Sequence, residues 1–172
     1  CYEGEINLTF HKEFLDVIKT DRTPMIKGAA VQKYFIKSKM SQGDIEFLDK
    51  QKFLSSNNGT KSSHYKLNRI VMQGITGVDD KNRLIMTLLN KGIFCGNSVN
   101  YILLNEENQN YEYFLCLLNS KLVNWYFKKF STNSNVNGYE VDNLTIKYNK
   151  DFLYPIVTLV KYCLLLKAET TT

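Results

Sequence analysis

Two histidines, four cysteines and a pair of adjacent aspartates are the residues of this 172-residue chain whose types could carry chemistry. His11 falls in a helical pattern and His64 in a polar stretch, and neither has Cys, Asp or Glu beside it at metal-ligand spacing. Cys1, Cys95, Cys116 and Cys163 show no Cys-x-x-Cys spacing. Cys116, within Phe114-Leu115-Cys116-Leu117-Leu118, reads as a small core hydrophobe. Asp79 and Asp80, followed by Lys81, have the make-up of half a metal-dependent nuclease site. Such a site needs a further carboxylate from an adjacent strand, whereas Asp residues after Gly77 also fit a turn, where their side chains bond nearby backbone. No Gly-x-Ser-x-Gly elbow, Walker loop or Gly-x-Gly-x-x-Gly fingerprint occurs. The expectation is therefore no catalytic residue and no metal in this chain.

What the chain offers in quantity is polar loops and unevenly placed charge. Residues 55–64 (Ser-Ser-Asn-Asn-Gly-Thr-Lys-Ser-Ser-His) and 131–138, with Asn133, Asn135 and Asn137, carry donors and acceptors with little bulk. The formal net charge is +5, and the excess sits in residues 25–83, at +6, and 121–150, at +3. Residues 84–120 between them stand at −2. Two basic segments meeting on one face would attract phosphates; on separate faces the same lysines would only solvate the surface. The abundance of Asn, and of Lys over Arg, also fits an AT-rich coding bias.

The elements that must position these groups are legible from periodicity. Hydrophobic residues at 44% and aromatics at 13% supply a core for one domain, which excludes a disordered chain, a collagen-like fibre or a disulfide scaffold. His11–Thr20, with Phe14, Leu15 and Ile18 on one face, reads as a short helix ended by Thr23-Pro24. Val31–Ile36 reads as a strand, residues 55–64 as a loop and Arg69–Gln73 as a strand before a turn at Gly74 and Gly77. Arg83–Leu89 and Phe94–Leu104 are two further strands, separated by the hairpin-like Asn90-Lys91-Gly92.

A long amphipathic helix is expected from Tyr111 to Phe130, with Tyr111, Phe114, Leu115, Leu118, Leu122, Trp125 and Tyr126 packing on the sheet. Leu144, Ile146 and Tyr148 then alternate with Thr145 and Lys147 as in a strand. Pro155 opens a last helix with the stripe Ile156, Leu159, Val160, Cys163 and Leu164. The fold class is mixed α/β (α+β): a mainly antiparallel or mixed sheet, one long amphipathic helix packed on it, and a C-terminal helix. No run of about 18 apolar residues occurs and no signal-peptide pattern, and unpaired cysteines suit a reducing cytoplasm. The start at Cys1 reads as a piece excised or processed from a longer chain, and the terminal apolar stripe as a face that has lost its cover.

Three sets of stretches stand in a telling order. Tyr2-Glu3-Gly4-Glu5-Ile6-Asn7-Leu8-Thr9 is followed by Thr23-Pro24-Met25-Ile26-Lys27-Gly28-Ala29-Ala30-Val31-Gln32-Lys33-Tyr34. The centre has Arg69-Ile70-Val71-Met72-Gln73-Gly74-Ile75 and Phe94-Cys95-Gly96-Asn97-Ser98-Val99-Asn100-Tyr101-Ile102. Phe114-Leu115-Cys116-Leu117-Leu118-Asn119-Ser120-Lys121-Leu122 then precedes Leu153-Tyr154-Pro155-Ile156. From about residue 2 to 160 the pattern resembles the TaqI-like C-terminal specificity domain, the target-recognition part of adenine-specific DNA methyltransferases and type IIG restriction–modification enzymes. The family often ends in Leu-Pro-Ile-Pro, from which Leu153-Tyr154-Pro155-Ile156-Val157 departs by an inserted Tyr and a missing final Pro.

The resemblance implies a DNA-reading module joined to an upstream domain that binds S-adenosylmethionine and methylates adenine N6 through an Asn-Pro-Pro-Tyr-type motif. That motif is absent from this chain, as is a Pro-Asp…Glu-x-Lys nuclease motif. Methylation takes the target base out of the duplex, so a separate domain must grip the flanking helix. The parent is then a site-specific adenine methyltransferase, with or without endonuclease activity, and no cofactor belongs to the present chain.

On that reading residues 1–155 form a DNA target-recognition domain and 156–172 a C-terminal helix and tail. The partners are double-stranded DNA and the covalently linked methyltransferase domain, with no membrane contact and a monomeric isolated domain. Charge and loop position nominate Lys27, Lys33, Lys61, Lys66, Arg69, Lys81, Arg83, Lys128 and Lys129 for phosphates. Asn57, Asn58, Gln73, Asn133 and Asn135 are nominated for base edges, since Asn and Gln match adenine. Asn119 and Ser120, poor helix formers, are expected to bond nearby backbone at a turn facing the sheet rather than DNA. Two other readings stay open: a protein-interaction module of a defence complex that uses the C-terminal stripe, and a small metal-dependent nuclease centred on Asp79 and Asp80.

Overall fold

The computed structural model describes residues 1–16, 23–37, 47–77, 81–105 and 110–169. Arg69-Ile70-Val71-Met72-Gln73 combines β-branched and apolar residues and forms β7 (Arg69–Gln73), the central strand of the larger sheet. It pairs antiparallel with β10 (Val99–Ile102) on one side and β8 (Met86–Leu89) on the other, and β1 (Tyr2–Glu3) adds to β10. Side chains alternate along a strand. Ile70 and Met72 therefore join the helix-side core with Leu115, Leu118, Phe127 and Val160. Val71 faces the opposite way, among Val31, Cys95, Val99 and Tyr101. Arg69 and Gln73 share the parity of Val71, so they point into that second layer.

The second layer is a sheet of short strands in the order β2 (Leu15–Asp16), β6 (Phe47–Leu48), β3 (Thr23–Ile26) and β9 (Phe94–Cys95). Its β3–β9 pairing is parallel and the others antiparallel. An aromatic core covers it, with Phe53 edge-on to both Phe14 and Phe94 and Tyr65 stacked on Phe94. Phe53 comes from α1 (Lys50–Ser56), whose N-cap Asp49 accepts from the Lys52 N–H. A hairpin of β4 (Val31–Gln32) and β5 (Phe35–Ile36) turns at Tyr34, whose φ of 69° is left-handed. The remaining helices are α2 (Tyr111–Leu118), α3 (Lys121–Phe127), α4 (Gly138–Asp142) and α5 (Leu153–Glu169), with α5 lying against α2.

The class is the mixed α/β expected, but several elements differ from their sequence patterns. The Tyr111–Phe130 helix is two helices, broken at Asn119 and Ser120. Asn119 Oδ1 accepts from the Met86 N–H at 3.1 Å and its Nδ2 donates to the Met86 carbonyl at 2.9 Å, while the Ser120 hydroxyl oxygen accepts from Val123 N–H. Ser120 makes the nearby backbone bond expected of its residue type, whereas Asn119 reaches backbone 33 residues back in the chain. The break resets the helical phase. Leu122, Trp125 and Tyr126, read as core-facing, are exposed, and Asn124 and Phe127 are buried in their place.

Leu144, Ile146 and Tyr148 do alternate in burial, yet they belong to no strand among the described residues; Tyr148 packs its ring against Tyr113 and Phe114. A period of two records which side is covered, not whether a neighbouring strand exists. The Val31–Ile36 strand is the β4–β5 hairpin, and Arg83–Leu89 shortens to β8. Phe94–Leu104 splits into β9 and β10 around a turn at Asn97-Ser98. The Asn90-Lys91-Gly92 turn, with Gly92 at φ 100°, joins strands of different sheets and so makes no hairpin. Residues 55–64 are not an open loop: they finish α1 and enter a 3-10 segment, Thr60–Lys66, that buries His64 and Tyr65. Of His11–Thr20, a 3-10 turn at Lys12–Phe14 leads into β2, and residues 17–20 lie outside the described residues.

A buried ion pair joins the two sheets. Arg69 donates through Nη1 to Glu5 Oε1 and through Nη2 to the Ile93 carbonyl, while Glu5 Oε2 accepts from the Cys95 N–H at 3.0 Å. Neither charged side chain has any exposed surface. Removing one member strands the other charge in the interior. Arg69→Met should therefore cost about 3–5 kcal/mol in urea unfolding, and the double variant Arg69→Met/Glu5→Leu should recover most of it.

The histidines set an acid limit. Burial holds His64 and His11 below the ordinary imidazole value of 6.5, and the nearby Lys61 adds to the effect on both. Both are thus neutral in the fold while the unfolded chain takes up protons first as pH falls through 6.5. Their contribution to stability is complete above that pH and is lost below it. Urea midpoints should drop between pH 7 and pH 5, and His64→Gln should flatten part of that slope.

Candidate nucleic-acid interface

The interface begins with a buried amide. Asn124 of α3 accepts through Oδ1 from the N–H groups of Arg83, at 2.6 Å, and Leu84, at 3.1 Å, and donates through Nδ2 to the Lys81 carbonyl at 3.0 Å. These bonds hold residues 81–84 against α3, beside the face the helix break turned outward. Lys81, Asn82, Lys121, Asn124, Trp125, Lys128 and Lys129 line the resulting cleft of about 450 Å³. Lys129 Nζ lies 5.1 Å from the centre of the half-exposed Trp125 ring. At the rim, Lys33 Nζ donates to Asn82 Oδ1 at 3.0 Å and to the Asn119 carbonyl at 2.9 Å, and burial pushes its pKa down. Clustered ammonium groups on one face suit a polyanion.

A second cleft of about 410 Å³ is lined by Glu3, Gly74, Ile75, Asn97, Ser98, Asn100, Asn135, Val136, Asn137 and Gly138. The segments that supply Gly74 and Ile75 on one wall and Asn135 and Val136 on the other are fastened from behind by Arg83. The buried guanidinium donates through Nε to Thr76 Oγ1 at 3.0 Å, and through Nη2 to Ser131 Oγ at 3.3 Å and the Asn135 carbonyl at 3.2 Å. Ser131 Oγ in turn donates to Glu140 Oε2 at 3.3 Å.

The nominated residues thus separate. Lys81, Lys128 and Lys129 come together in the first cleft, with Lys33 at its rim, and Asn135 lines the second with Asn133 beside it. Arg69 and Arg83 do not reach the surface: both are buried, and their guanidinium groups bond interior carboxyl, carbonyl and hydroxyl oxygens. Gln73 is half-buried, its Nε2 donating to the Val31 carbonyl at 2.7 Å, because β7 parity points it into the second layer. Asn57 bonds the Phe53 carbonyl, Lys66 lies over the Tyr65 ring, and neither they nor Asn58 or Lys61 line these clefts. Lys27 is half-buried ahead of the 3-10 turn Gly28–Ala30.

Asp79 and Asp80 lie outside the described residues. Among the described residues no three His, Cys, Asp or Glu side chains gather as metal ligands, and no helix is long and apolar enough to cross a membrane. Burial pushes the Cys95 thiol far up, and Cys116 is half-buried against the helix-side core. Lys121, Trp125, Asn82 and Ile75 escaped sequence reasoning. Lys121, Trp125, Lys128 and Lys129 do recur at helical steps, a signal hidden by assigning Trp125 to the core stripe.

The TaqI-like C-terminal specificity domain is the family whose sequence pattern matches, over residues 23–153. No curated protein matches the chain. Among solved structures, the type IIL restriction-modification enzyme MmeI, determined in complex with DNA, superposes with a TM-score of 0.62 at 10% identity. The match covers 99% of this chain and 28% of MmeI, so the chain spans under a third of that enzyme's length. At this identity the likeness is one of fold.

Asn124 ties the first cleft's two walls through three side-chain bonds. Asn124→Ala leaves two buried N–H groups unsatisfied and should cost about 2–3 kcal/mol in urea unfolding. Lys121→Gln on the same helix should leave the midpoint within about 0.5 kcal/mol.

Proposed function

The chain belongs to the TaqI-like C-terminal specificity domain family, and we propose that it is a sequence-specific recognition domain for duplex DNA. It holds DNA for an adenine-N6 methyltransferase or restriction–methyltransferase domain carried elsewhere in the parent protein, and S-adenosylmethionine binds there. One observation carries the reading: Lys81, Lys121, Lys128 and Lys129 converge on one cleft around Trp125. Lysine is a compact, mobile charge suited to phosphate oxygens, and such contacts fix register on the duplex. Each releases a condensed counterion, so affinity must fall steeply with salt.

A protein-docking role is favoured by a different observation: of the expected stripe Val160 and Leu164 are covered by the domain's own helix-side core, and it is Tyr154, Leu159, Tyr162 and Leu165 that α5 leaves exposed. Apolar docking survives high salt, which separates it from phosphate binding.

The test is duplex binding by the whole chain, with log affinity plotted against log salt. Each Lys→Gln change at 81, 121, 128 or 129 should make the slope shallower by about 0.9, whereas Lys161→Gln on α5 should leave it unchanged. An unchanged slope in the quadruple variant would remove the cleft from the binding surface.

A further inference from the structure

The second cleft differs in kind from the first: its lining includes a carboxylate, Glu3, and no lysine or arginine. That lining repels phosphate and suits uncharged base edges. Within it, Ile75 and Asn135 face each other across an isolated antiparallel bridge. Directly opposed side chains on such a bridge stand about 4.5–5.5 Å apart at Cβ and share one face. Alternation explains the orientation of Ile75. Gly74 and Thr76 are buried, Thr76 to bond Arg83, so Ile75 between them turns outward, and Asn135, opposite it and next to buried Val136, is exposed on the same face. Ile75 is 62% exposed, a large apolar side chain displayed on rigidly held backbone.

The rigidity is built by several bonds. Val136 N–H donates to the Gly74 carbonyl at 2.9 Å, Thr76 N–H to the Ser134 carbonyl at 2.8 Å, and Gly74 N–H to the Ser98 carbonyl at 2.8 Å. Arg83 fastens Thr76 and the Asn135 carbonyl from behind. The same residue's backbone N–H is held by Asn124, which lines the lysine cleft. One interior arginine therefore ties the charged cleft to the neutral one.

We propose that the Ile75–Asn135 pair is a base-reading element, in which the Asn135 amide bonds adenine N6 and N7 and the Ile75 side chain packs on the methyl of an adjacent thymine in the major groove. The amide matches the donor–acceptor pair of adenine, and an apolar group is what distinguishes a thymine methyl. The major groove is the side on which adenine presents that pair and thymine its methyl. The inference rests on the reading that this chain contacts duplex DNA.

The test is selection from a random-sequence duplex pool by the whole chain, the wild type beside Asn135→Ala, Ile75→Ala and Lys128→Gln. The expected result is a wild-type motif containing an A·T step. Asn135→Ala and Ile75→Ala should lose about 10- to 100-fold discrimination at that step while binding to non-target duplex stays within about twofold. Lys128→Gln should weaken all sequences equally and keep the motif. Because both side chains are exposed, near-ultraviolet circular dichroism and urea midpoints should match the wild type. If both variants keep the full motif, the pair does not read bases. Salt-dependent binding with no base preference overturns base reading and leaves duplex contact standing. No duplex binding by the wild type overturns duplex contact and base reading together.

Discussion

A guanidinium sealed inside the domain is the constraint on which the rest depends. Arg69 sits at the start of the central strand and faces away from the helices, into a layer of short strands too small to be stable alone. Its pairing with Glu5, and the bond from Cys95 N–H to the same carboxylate, tie the N-terminal segment, β7 and β9 into one unit. The Tyr101 ring, 4.8 Å from the guanidinium carbon, closes one side, and Tyr101 in turn bonds His64 Nδ1 at 2.9 Å. Two ions removed from water lose several kcal/mol of hydration each, so the arrangement persists only because nearly every donor and acceptor is matched. Arg69 Nε is the one buried side-chain nitrogen or oxygen among the described residues without a partner.

Arg83 repeats the device where function is expected. Its guanidinium bonds three oxygens from two chain segments and so fixes the segments that carry Ile75 and Asn135 into a cleft. Arginine suits this interior work because its donors are fixed in one plane, whereas lysine suits mobile surface contact. The division is plain: both described arginines, Arg69 and Arg83, organise the interior, and lysines line the charged cleft.

Between these lies the problem of the sheet edge. β8 is an outer strand, and its unpaired backbone groups would invite other strands. Asn119 bonds both backbone groups of Met86, and Asn124 those of the segment leading into the strand. Covering the edge with amides required a helix whose polar residues turn inward. The break at Ser120 allows that, and it leaves Trp125 and its lysines on the outside. The exposed aromatic face is thus a geometric consequence of how the edge is satisfied.

Much of this was legible in the residue order. β7, the turn at Gly92, the C-terminal helix, the mixed class and the capping bond of Ser120 all follow from local rules about β-branched runs, glycine and poor helix formers. The gathering of Lys81, Lys128 and Lys129 was foreshadowed by charge concentrated in two segments. Whether a given cation is inside or outside was not legible. Arg69 and Arg83 have the same sequence signature as surface cations, and partners far along the chain, Glu5 for one and Ser131 and Asn135 for the other, help to draw them inward. The helix phase after residue 120 depended likewise on Met86 and Arg83 being close enough to bond. Local composition determines which elements form and where charge is available. Burial of a charge depends on long-range partners that offset its desolvation, so that decision belongs to the tertiary structure alone.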